Sequence, residues 1–304
     1  MRPIILILGP TAGGKTSLSI ELANRIEGGG ECIIADSMQV YTGMDIGTAK
    51  PTAEEQSQAV HHLIDIADPR DDGFTVETWL TKANDSIEDV RSRGKWPIVV
   101  GGTNLYVQSL LFGLFDGPEC DQEKRDELHA VPNPELLERL RKLDPEAADR
   151  IHVNDKRRLV RAVEVCEATG MPLSSLQAQW GKPMPREDAR MIGLTWPVKT
   201  INRRINSRVR TMFDQGLLNE VEGLKDSLGK QASEALGYKQ LLAYFEGKST
   251  LEEAQERIKI LTRRYAKQQR TWLKRFKILP SANFIDMDEK GIQYAVEQAL
   301  MHIS

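Results

Sequence analysis

The stretch GPTAGGKT, residues 9–16, combines residue types that bind phosphate. It fits the pattern G-x-x-x-x-G-K-[ST], in which glycines let backbone N–H groups approach an anion and a lysine adds a full positive charge. The predicted diphosphate or triphosphate site consists of Gly9, Pro10, Thr11, Ala12, Gly13, Gly14, Lys15 and Thr16. The Thr16 hydroxyl is suited to ligate Mg²⁺. These residues alone do not identify the molecule that carries the phosphates.

A carboxylate and an amide follow the next apolar run, ECIIAD at residues 31–36. Asp36 ends this run, where ligands bind in open parallel sheets. A carboxylate at this place could bind Mg²⁺ or act on a nucleophile, or it could only cap a local turn. Gln39 offers the donor and acceptor pair that matches the edge of an adenine, although an isolated glutamine is more often only solvated.

The elements that must position these side chains alternate between strand and helix. Short apolar runs predict strands at residues 4–8, 31–36, 61–66, 96–102, 190–196 and 283–288. Apolar residues four apart after the glycine loop, and the segment 75–94, predict helices between them. This alternation predicts an α/β fold, in which a P-loop NTPase-like core has a parallel sheet flanked by helices.

The pattern changes from residue 116 to residue 185, where helical periodicity is interrupted by prolines and strand-like runs are almost absent. We therefore predict a helical insertion domain at 116–185, between a first part of the core at 1–115 and a second, mostly helical part at 186–304.

Composition limits the functional classes. Hydrophobic residues make up 40% and charged residues 28% of the 304 residues, and no stretch approaches the roughly 20 apolar residues of a membrane helix. We expect a cytoplasmic protein with no membrane contact. Cys32, Cys120 and Cys166 are too scattered for a zinc set or a disulfide framework, and are expected to be reduced thiols.

The net charge of −3 means that any surface for nucleic acid must be local. Three clusters qualify: KRRLVR at 156–161, RRINSRVR at 203–210 and TRRYAKQQRTWLK at 262–274. The last aligns Arg263, Lys267, Arg270 and Lys274 on one helical face. Taken singly, each cluster is more often an ordinary solvated helix face.

Seven motifs occur in an order that closely resembles the tRNA dimethylallyltransferase family, also called tRNA isopentenyltransferases. They are GPTAGGKT, DSMQVYTGMDIGTAKP, HHLIDI, VVGGTNLYVQSL, DPEAADRIHVNDKRRLVRAVEV, LGYKQ and TRRYAKQQRTWL. The resemblance covers residues 4 to about 275, and DSMQVY with GMDIGTAKP is highly specific to the family. The three scattered cysteines could not supply the zinc finger of many eukaryotic members, which favours a bacterial-type enzyme.

The resemblance implies transfer of a dimethylallyl group from dimethylallyl diphosphate to N6 of the tRNA adenosine directly 3′ of the anticodon. It implies Asp36 as the base, with Lys15 and Thr103 also catalytic, and the glycine loop, Arg208 and Mg²⁺ as the diphosphate site. The implied tRNA contacts are Asp36, Ser37, Met38, Gln39, Thr103, Arg125, Arg157, Arg158, Leu159, Val160 and Arg161. The target base would have to be extruded from its stack, and we expect the enzyme to be a monomer.

Three other functions start from the same loop. A small-molecule P-loop kinase shares the loop and the aspartate, but it would not explain DSMQVYTGMDIGTAKP or the basic helices. An adenylate isopentenyltransferase shares the chemistry, but a free nucleotide needs no helical insertion that carries NDKRRLVR. A non-catalytic tRNA-binding module is disfavoured by the presence of Lys15, Thr16 and Asp36.

Overall fold

The computed structural model describes residues 1–114, 117, 122–177, 186–279, 281–288 and 290–303. Cys120 and the two ends of the predicted insertion, residues 116 and 185, lie outside the described residues. The chain divides into two compact units, one formed by Met1–Leu111 with Arg186–Ser304 and the other by Phe112–Pro185.

The first unit is built on a six-stranded, fully parallel sheet, which confirms the predicted α/β fold. Its strands are β1 Ile4–Leu8, β2 Gly30–Ala35, β3 His61–His62, β4 Trp96–Gly101, β5 Ala189–Thr195 and β6 Ala282–Asp286. They lie in the order β3-β2-β4-β1-β5-β6. The carboxyl ends of β1, β2 and β4 therefore meet at one edge, since Leu8 and Ala35 both pair with Gly101.

Helices α1, α3 and α14 pack on this sheet. The helices outside the insertion are α1 Lys15–Arg25, α2 Ala53–Gln58, α3 Val76–Ser92, α4 Asn104–Phe112, α10 Val198–Asp214, α11 Leu217–Leu224, α12 Tyr238–Phe245, α13 Leu251–Leu273 and α14 Gly291–Ile303. Ile5 and Ile7 of β1 pack in one cluster with α1 and α14 residues, while Ile4 and Leu6, on the opposite face, are also fully buried. Both faces of the strand are thus covered, as expected for a parallel sheet.

The predicted strand at 61–66 is much shorter in the structure. Only His61 and His62 pair with β2, because Leu63 and Asp65 have φ values of 65° and 53°. This left-handed backbone ends the extended run. The chain then turns back so that Ile66 and Ala67 donate to the carbonyl of Val40.

A second apolar cluster joins the segment after β2 to the C-terminal helices. Val40, Tyr41 and Met44 pack there with Val209 of α10, Leu217 and Val221 of α11, Tyr238 and Leu241 of α12, and Ile258 of α13. The DSMQVYTGMDIGTAK segment therefore packs on residues that lie more than 150 positions later in the sequence.

The second unit is helical where it is described. It contains α5 Gln122–Ala130, α6 Asn133–Leu143, α7 Pro145–Arg150, α8 Lys156–Thr169 and α9 Leu173–Leu176. Its own core includes Leu128, Leu136, Leu140, Leu159 and Val163. No helix in the described part of the chain is both long enough and apolar enough to cross a bilayer.

Candidate active site

The glycine loop lies between β1 and α1, and two of its carbonyls accept hydrogen bonds from side chains outside the loop. The Ala12 carbonyl accepts a hydrogen bond from Arg204 Nε at 2.8 Å, and the Gly13 carbonyl accepts one from Trp196 Nε1 at 3.1 Å. The Arg204 guanidinium stacks on the Trp196 ring, 4.5 Å from its centroid. Because these carbonyls are already satisfied, they do not repel an anion in the loop, and the N-terminus of α1 adds partial positive charge.

Lys15 is the first residue of α1, and its Nζ donates to the carbonyls of Gly9 and Pro10, both at 3.1 Å. The pKa of Lys15 is lowered to about 8, mainly by burial and also by the positive charge of Arg208, while the charge of Asp36 opposes the shift. Because the positive charge of Arg208 disfavours the charge on Lys15, a ligand with more than one negative charge suits this pair of cations.

Arg208 lies on α10, one helical turn after Arg204. Its Nη1 donates to Thr11 Oγ1 at 3.3 Å, and its Nη2 donates to the Ala49 carbonyl at 3.4 Å. Burial lowers the pKa of Arg208, and Asp36 opposes that shift. The structure therefore brings Arg208 to the glycine loop, as the predicted diphosphate role requires.

Asp36 and Thr103 follow two neighbouring strands, β2 and β4. The backbone N–H of Thr103 donates to the Ala35 carbonyl at 3.2 Å, and Thr103 Oγ1 accepts the backbone N–H of Ser37 at 2.9 Å. Asp36 Oδ1 accepts the N–H of Met38 at 3.0 Å. Its Oδ2 has no hydrogen bond to any residue that the structure describes, so this oxygen is open to accept a proton.

The strands can approach this closely because Gly101 has no side chain. A Cβ at Gly101 would lie 2.1 Å from the Ala35 carbonyl oxygen. Gly101 thus permits the short distance between the Asp36 and Thr103 segments.

Gln39 is held differently from the sequence expectation. Its Nε2 donates to the carbonyls of Thr48 and Ala49, at 3.2 and 3.3 Å. The amide nitrogen is therefore engaged by the protein itself. The carbonyl oxygen Oε1 is left as the group that could contact a base, instead of the donor and acceptor pair that the residue type suggests.

Two residues of α13 complete the site and were not singled out from the sequence. Gln269 Oε1 accepts the N–H of Thr11 at 2.8 Å, and its Nε2 donates to the Gly102 carbonyl at 3.1 Å. Tyr265 lies one turn earlier, and its hydroxyl donates to the same carbonyl at 3.2 Å. Together they tie the glycine loop to the segment that carries Thr103. The spacing of four residues between Tyr265 and Gln269 in TRRYAKQQRTWL is the sequence feature that could have indicated that both face the same site.

The cations that the sequence aligned on α13 have other surroundings. Arg263 Nη1 donates to Asn206 Oδ1 of α10, while Lys267 and Lys274 are exposed. A role of this basic face towards the diphosphate or tRNA stays a prediction.

In the helical unit, a buried carboxylate joins two of the predicted tRNA contacts. Glu164 Oε2 accepts from Arg125 Nη2 at 2.9 Å and from Arg161 Nη1 at 2.8 Å. Burial raises the pKa of Glu164, but the hydrogen bonds from the two arginines outweigh it and hold that pKa below the usual value. Arg157 and Arg158 are exposed at the start of α8.

Leu159 and Val160 do not lie at the surface. Their side chains are 0% and 2% exposed and belong to the core of the helical unit. Both residues were predicted as tRNA contacts only as members of the run RRLVR, and their side chains lie on the inward face of an amphipathic helix. Arg157 and Arg158 are the exposed side chains of this run, and a contact of the run with tRNA stays a prediction.

The donors for a metal ion are few. Among the described residues, no group of three or more His, Cys, Asp or Glu side chains is placed to hold a metal. A Mg²⁺ ion at the glycine loop would therefore bind the Thr16 hydroxyl together with phosphate oxygens and water, a donor set that suits this ion.

Two family models and a set of curated relatives match this chain. A family model described as IPP transferase matches residues 39–276, and one described as isopentenyl transferase matches residues 2–69. The chain is 46% identical over 276 residues to tRNA dimethylallyltransferase 2 of Geotalea uraniireducens, covering 88% of each chain. It is 48% identical over 279 residues to tRNA dimethylallyltransferase of Shouchella clausii, covering 90% of this chain and 88% of the relative.

Solved structures are similar over nearly the whole chain. The tRNA isopentenylpyrophosphate transferase of Bacillus halodurans has a TM-score of 0.72 and 39% identity, with 99% of this chain and 95% of that chain covered. A eukaryotic dimethylallyltransferase acting on tRNA has a TM-score of 0.78 and 29% identity, with 95% and 75% covered.

Proposed function

We propose that this chain, which belongs to the IPP transferase family, transfers a dimethylallyl group from dimethylallyl diphosphate to N6 of a tRNA adenosine, the one directly 3′ of the anticodon. The observation that carries the proposal is the meeting of two sites at one edge of the sheet. An anion cradle with Lys15 and Arg208 lies beside the carboxylate of Asp36, whose charge acts on the pKa of both cations.

The reaction forms one C–N bond and breaks one C–O bond. The adenine N6 attacks the allylic carbon, and the diphosphate leaves with the electron pair of the C–O bond. N6 must lose a proton as its lone pair becomes bonding, and Asp36 Oδ2 accepts that proton. Thr103 holds the Ser37 N–H at 2.9 Å and so fixes the turn in which Asp36 lies.

The diphosphate gains negative charge as it leaves, and fixed cations stabilise that charge. Lys15, Arg208 and the N–H groups at the start of α1 supply this stabilisation. Mg²⁺ bound to the Thr16 hydroxyl would neutralise part of the same charge. The loop thus binds a diphosphate attached to a five-carbon group, where a kinase would bind a nucleotide.

The acceptor base must leave its stack to reach this edge, which costs a few kcal/mol. Ser37, Met38 and the Gln39 carbonyl oxygen are the groups nearest to Asp36 in the chain that could hold it. Contacts of Arg125, Arg157, Arg158 and Arg161 with the phosphate backbone would supply binding that is independent of the base.

A parallel acceptor assay tests the proposal. The protein is incubated with dimethylallyl diphosphate and Mg²⁺ together with unmodified tRNA, AMP or ATP, and the nucleosides are analysed by mass spectrometry. We expect a prenylated adenosine from tRNA only. Prenylated AMP or ATP without product in tRNA would identify an adenylate isopentenyltransferase, and ATP consumption without prenyl transfer would identify a kinase.

A further inference from the structure

One loop contacts both Gln39, which follows Asp36 in the chain, and Arg208, which lies at the glycine loop. Residues 45–50, here the 45–50 loop, follow DSMQ in the chain, and the carbonyls of Thr48 and Ala49 point to the site. The Ala49 carbonyl accepts from Gln39 Nε2 on the acceptor side and from Arg208 Nη2 on the diphosphate side, at 3.3 and 3.4 Å. The position of one peptide group therefore affects two functional side chains.

That peptide group is held in an unfavourable conformation. Ala49 has φ 52°, in the left-handed region that residues with a Cβ adopt at a cost in free energy. Such a conformation persists only where the surrounding structure determines it, and such residues cluster at functional sites. The question is which groups hold the 45–50 loop.

The carboxylate of Glu220, on α11, binds three backbone N–H groups of the 45–50 loop. Its Oε2 accepts the backbone N–H groups of Asp45 and Ile46, at 3.0 and 2.7 Å, and its Oε1 accepts that of Gly47 at 3.0 Å. The Tyr238 hydroxyl of α12 donates to Oε1 as well. A charged acceptor forms stronger hydrogen bonds than a neutral one, and here it receives four donors.

The remaining contacts fit the same arrangement. A Cβ at Gly47 would lie 2.4 Å from Tyr238 Cε2, so the ring packs directly on the loop backbone. Burial raises the pKa of Tyr238, and the Glu220 carboxylate raises it further, so the hydroxyl stays a donor at physiological pH. At the other end of the loop, Lys50 Nζ donates to the Tyr41 carbonyl and to the carboxylates of Asp45 and Asp65.

We propose that Glu220 is a positioning residue for prenyl transfer, acting through the 45–50 loop on Gln39 and Arg208; this rests on the proposed function. Both of its carboxylate oxygens bind groups of the protein itself. Replacing one carboxylate oxygen by an amide NH₂ in Glu220→Gln would set a donor against backbone N–H donors. The loop would then lose the support that keeps Ala49 in place, and both side chains would lose their carbonyl partner.

A double-mutant cycle separates this role from simple stabilisation. kcat/KM for tRNA prenylation is measured for the native protein, Gln39→Ala, Glu220→Gln and the double variant, at a temperature well below every thermal transition. We expect Gln39→Ala to reduce kcat/KM about tenfold in the native background but less than about threefold with Glu220→Gln, because residues in one network are not additive. Glu222→Gln, an exposed glutamate on the same helix, should leave the full effect of Gln39→Ala.

A second readout follows Arg208 and needs no prenyl transfer. Titration calorimetry with inorganic pyrophosphate should give an affinity about fivefold weaker in Glu220→Gln, because Arg208 then lacks its carbonyl partner. Glu222→Gln should bind pyrophosphate as the native protein does. Should Glu220→Gln fail to fold, Tyr238→Phe removes only one donor to the carboxylate and should change both readouts in the same direction by a smaller factor.

An undiminished effect of Gln39→Ala in the Glu220→Gln background, or an unchanged pyrophosphate affinity, overturns the positioning role. A native protein that prenylates no tRNA refutes the proposed function instead, which the same experiment reveals in its first measurement.

Discussion

Raising the pH from 7 to 9 should weaken the binding of dimethylallyl diphosphate about tenfold through one residue. The pKa of Lys15 is about 8 in the free protein, lowered by burial and by Arg208 and raised by Asp36. The protonated fraction of Lys15 then falls from about 0.9 at pH 7 to about 0.1 at pH 9, and a tenfold change in affinity is about 1.4 kcal/mol. In the proposed site, only the protonated lysine would stabilise the diphosphate.

Neither Arg208 nor Tyr265 changes its charge in this range. Arg208 keeps its charge despite the lowered pKa, as arginine does in proteins. Burial raises the pKa of Tyr265 well above its usual range, so this phenol remains neutral. Phosphate groups complete their ionisation near pH 6, so the ligand charge is nearly constant between pH 7 and 9.

Calorimetry at pH 7, 8 and 9 provides the assay. Titrations in two buffers of different ionisation enthalpy count the protons taken up, and we expect about half a proton per site at pH 8. In Lys15→Arg the cation stays charged, so the affinity should not change with pH. A flat profile in the native protein, or an equal slope in Lys15→Arg, would refute the assignment of Lys15.

The same shift has a consequence for folding. The unfolded state, in which Lys15 has its ordinary pKa of 10.5, binds more protons than the folded state between pH 8 and 10.5. The contribution of Lys15 to the free energy of unfolding of the free protein therefore increases with pH in this window. Urea denaturation of Lys15→Arg lacks this increase and serves as the control.

Two further predictions concern the sheet and the helical unit. Trp79→Phe removes the donor to the Ile34 carbonyl, at 2.9 Å in the core, and should lower the free energy of unfolding by about 1–3 kcal/mol in urea denaturation. In Trp96→Phe the lost hydrogen bond is exposed, so the free energy of unfolding should fall less. Equal losses in the two variants would contradict this reasoning. Arg157→Ala should reduce the slope of log tRNA affinity against log salt by about 1; an unchanged slope would exclude a phosphate contact.

The sequence alone predicted the residues that lie in or next to short motifs. The glycine loop, Asp36 and Thr103 each follow a buried strand, so parallel topology brings them to one edge of the sheet. The strand at 61–66 was predicted too long because its apolar pattern contains no sign of the left-handed backbone at Leu63 and Asp65.

The contacts that hold the site come from distant parts of the chain. Gln269 reaches Thr11 across 258 residues, and Glu220 reaches Gly47 across 173. Local spacing in the sequence indicates the cations of α13, whereas nothing in that spacing distinguishes the neutral Tyr265 and Gln269. The family resemblance grouped Leu159 and Val160 with the arginines of RRLVR as tRNA contacts. Their apolar side chains belong to the core of the helical unit, and their contact with tRNA stays a prediction.

In the proposed reaction, Asp36 takes the proton from N6 of an adenine in tRNA while the glycine loop binds the diphosphate leaving group. Asp36→Asn keeps the oxygen that accepts the Met38 N–H and removes the ability to take a proton. Mass spectrometry of the adenosine 3′ of the anticodon, after incubation with dimethylallyl diphosphate, should show full prenylation by the native protein. With Asp36→Asn it should show almost none, although tRNA and pyrophosphate still bind. Prenylation at the native rate by Asp36→Asn would contradict the account.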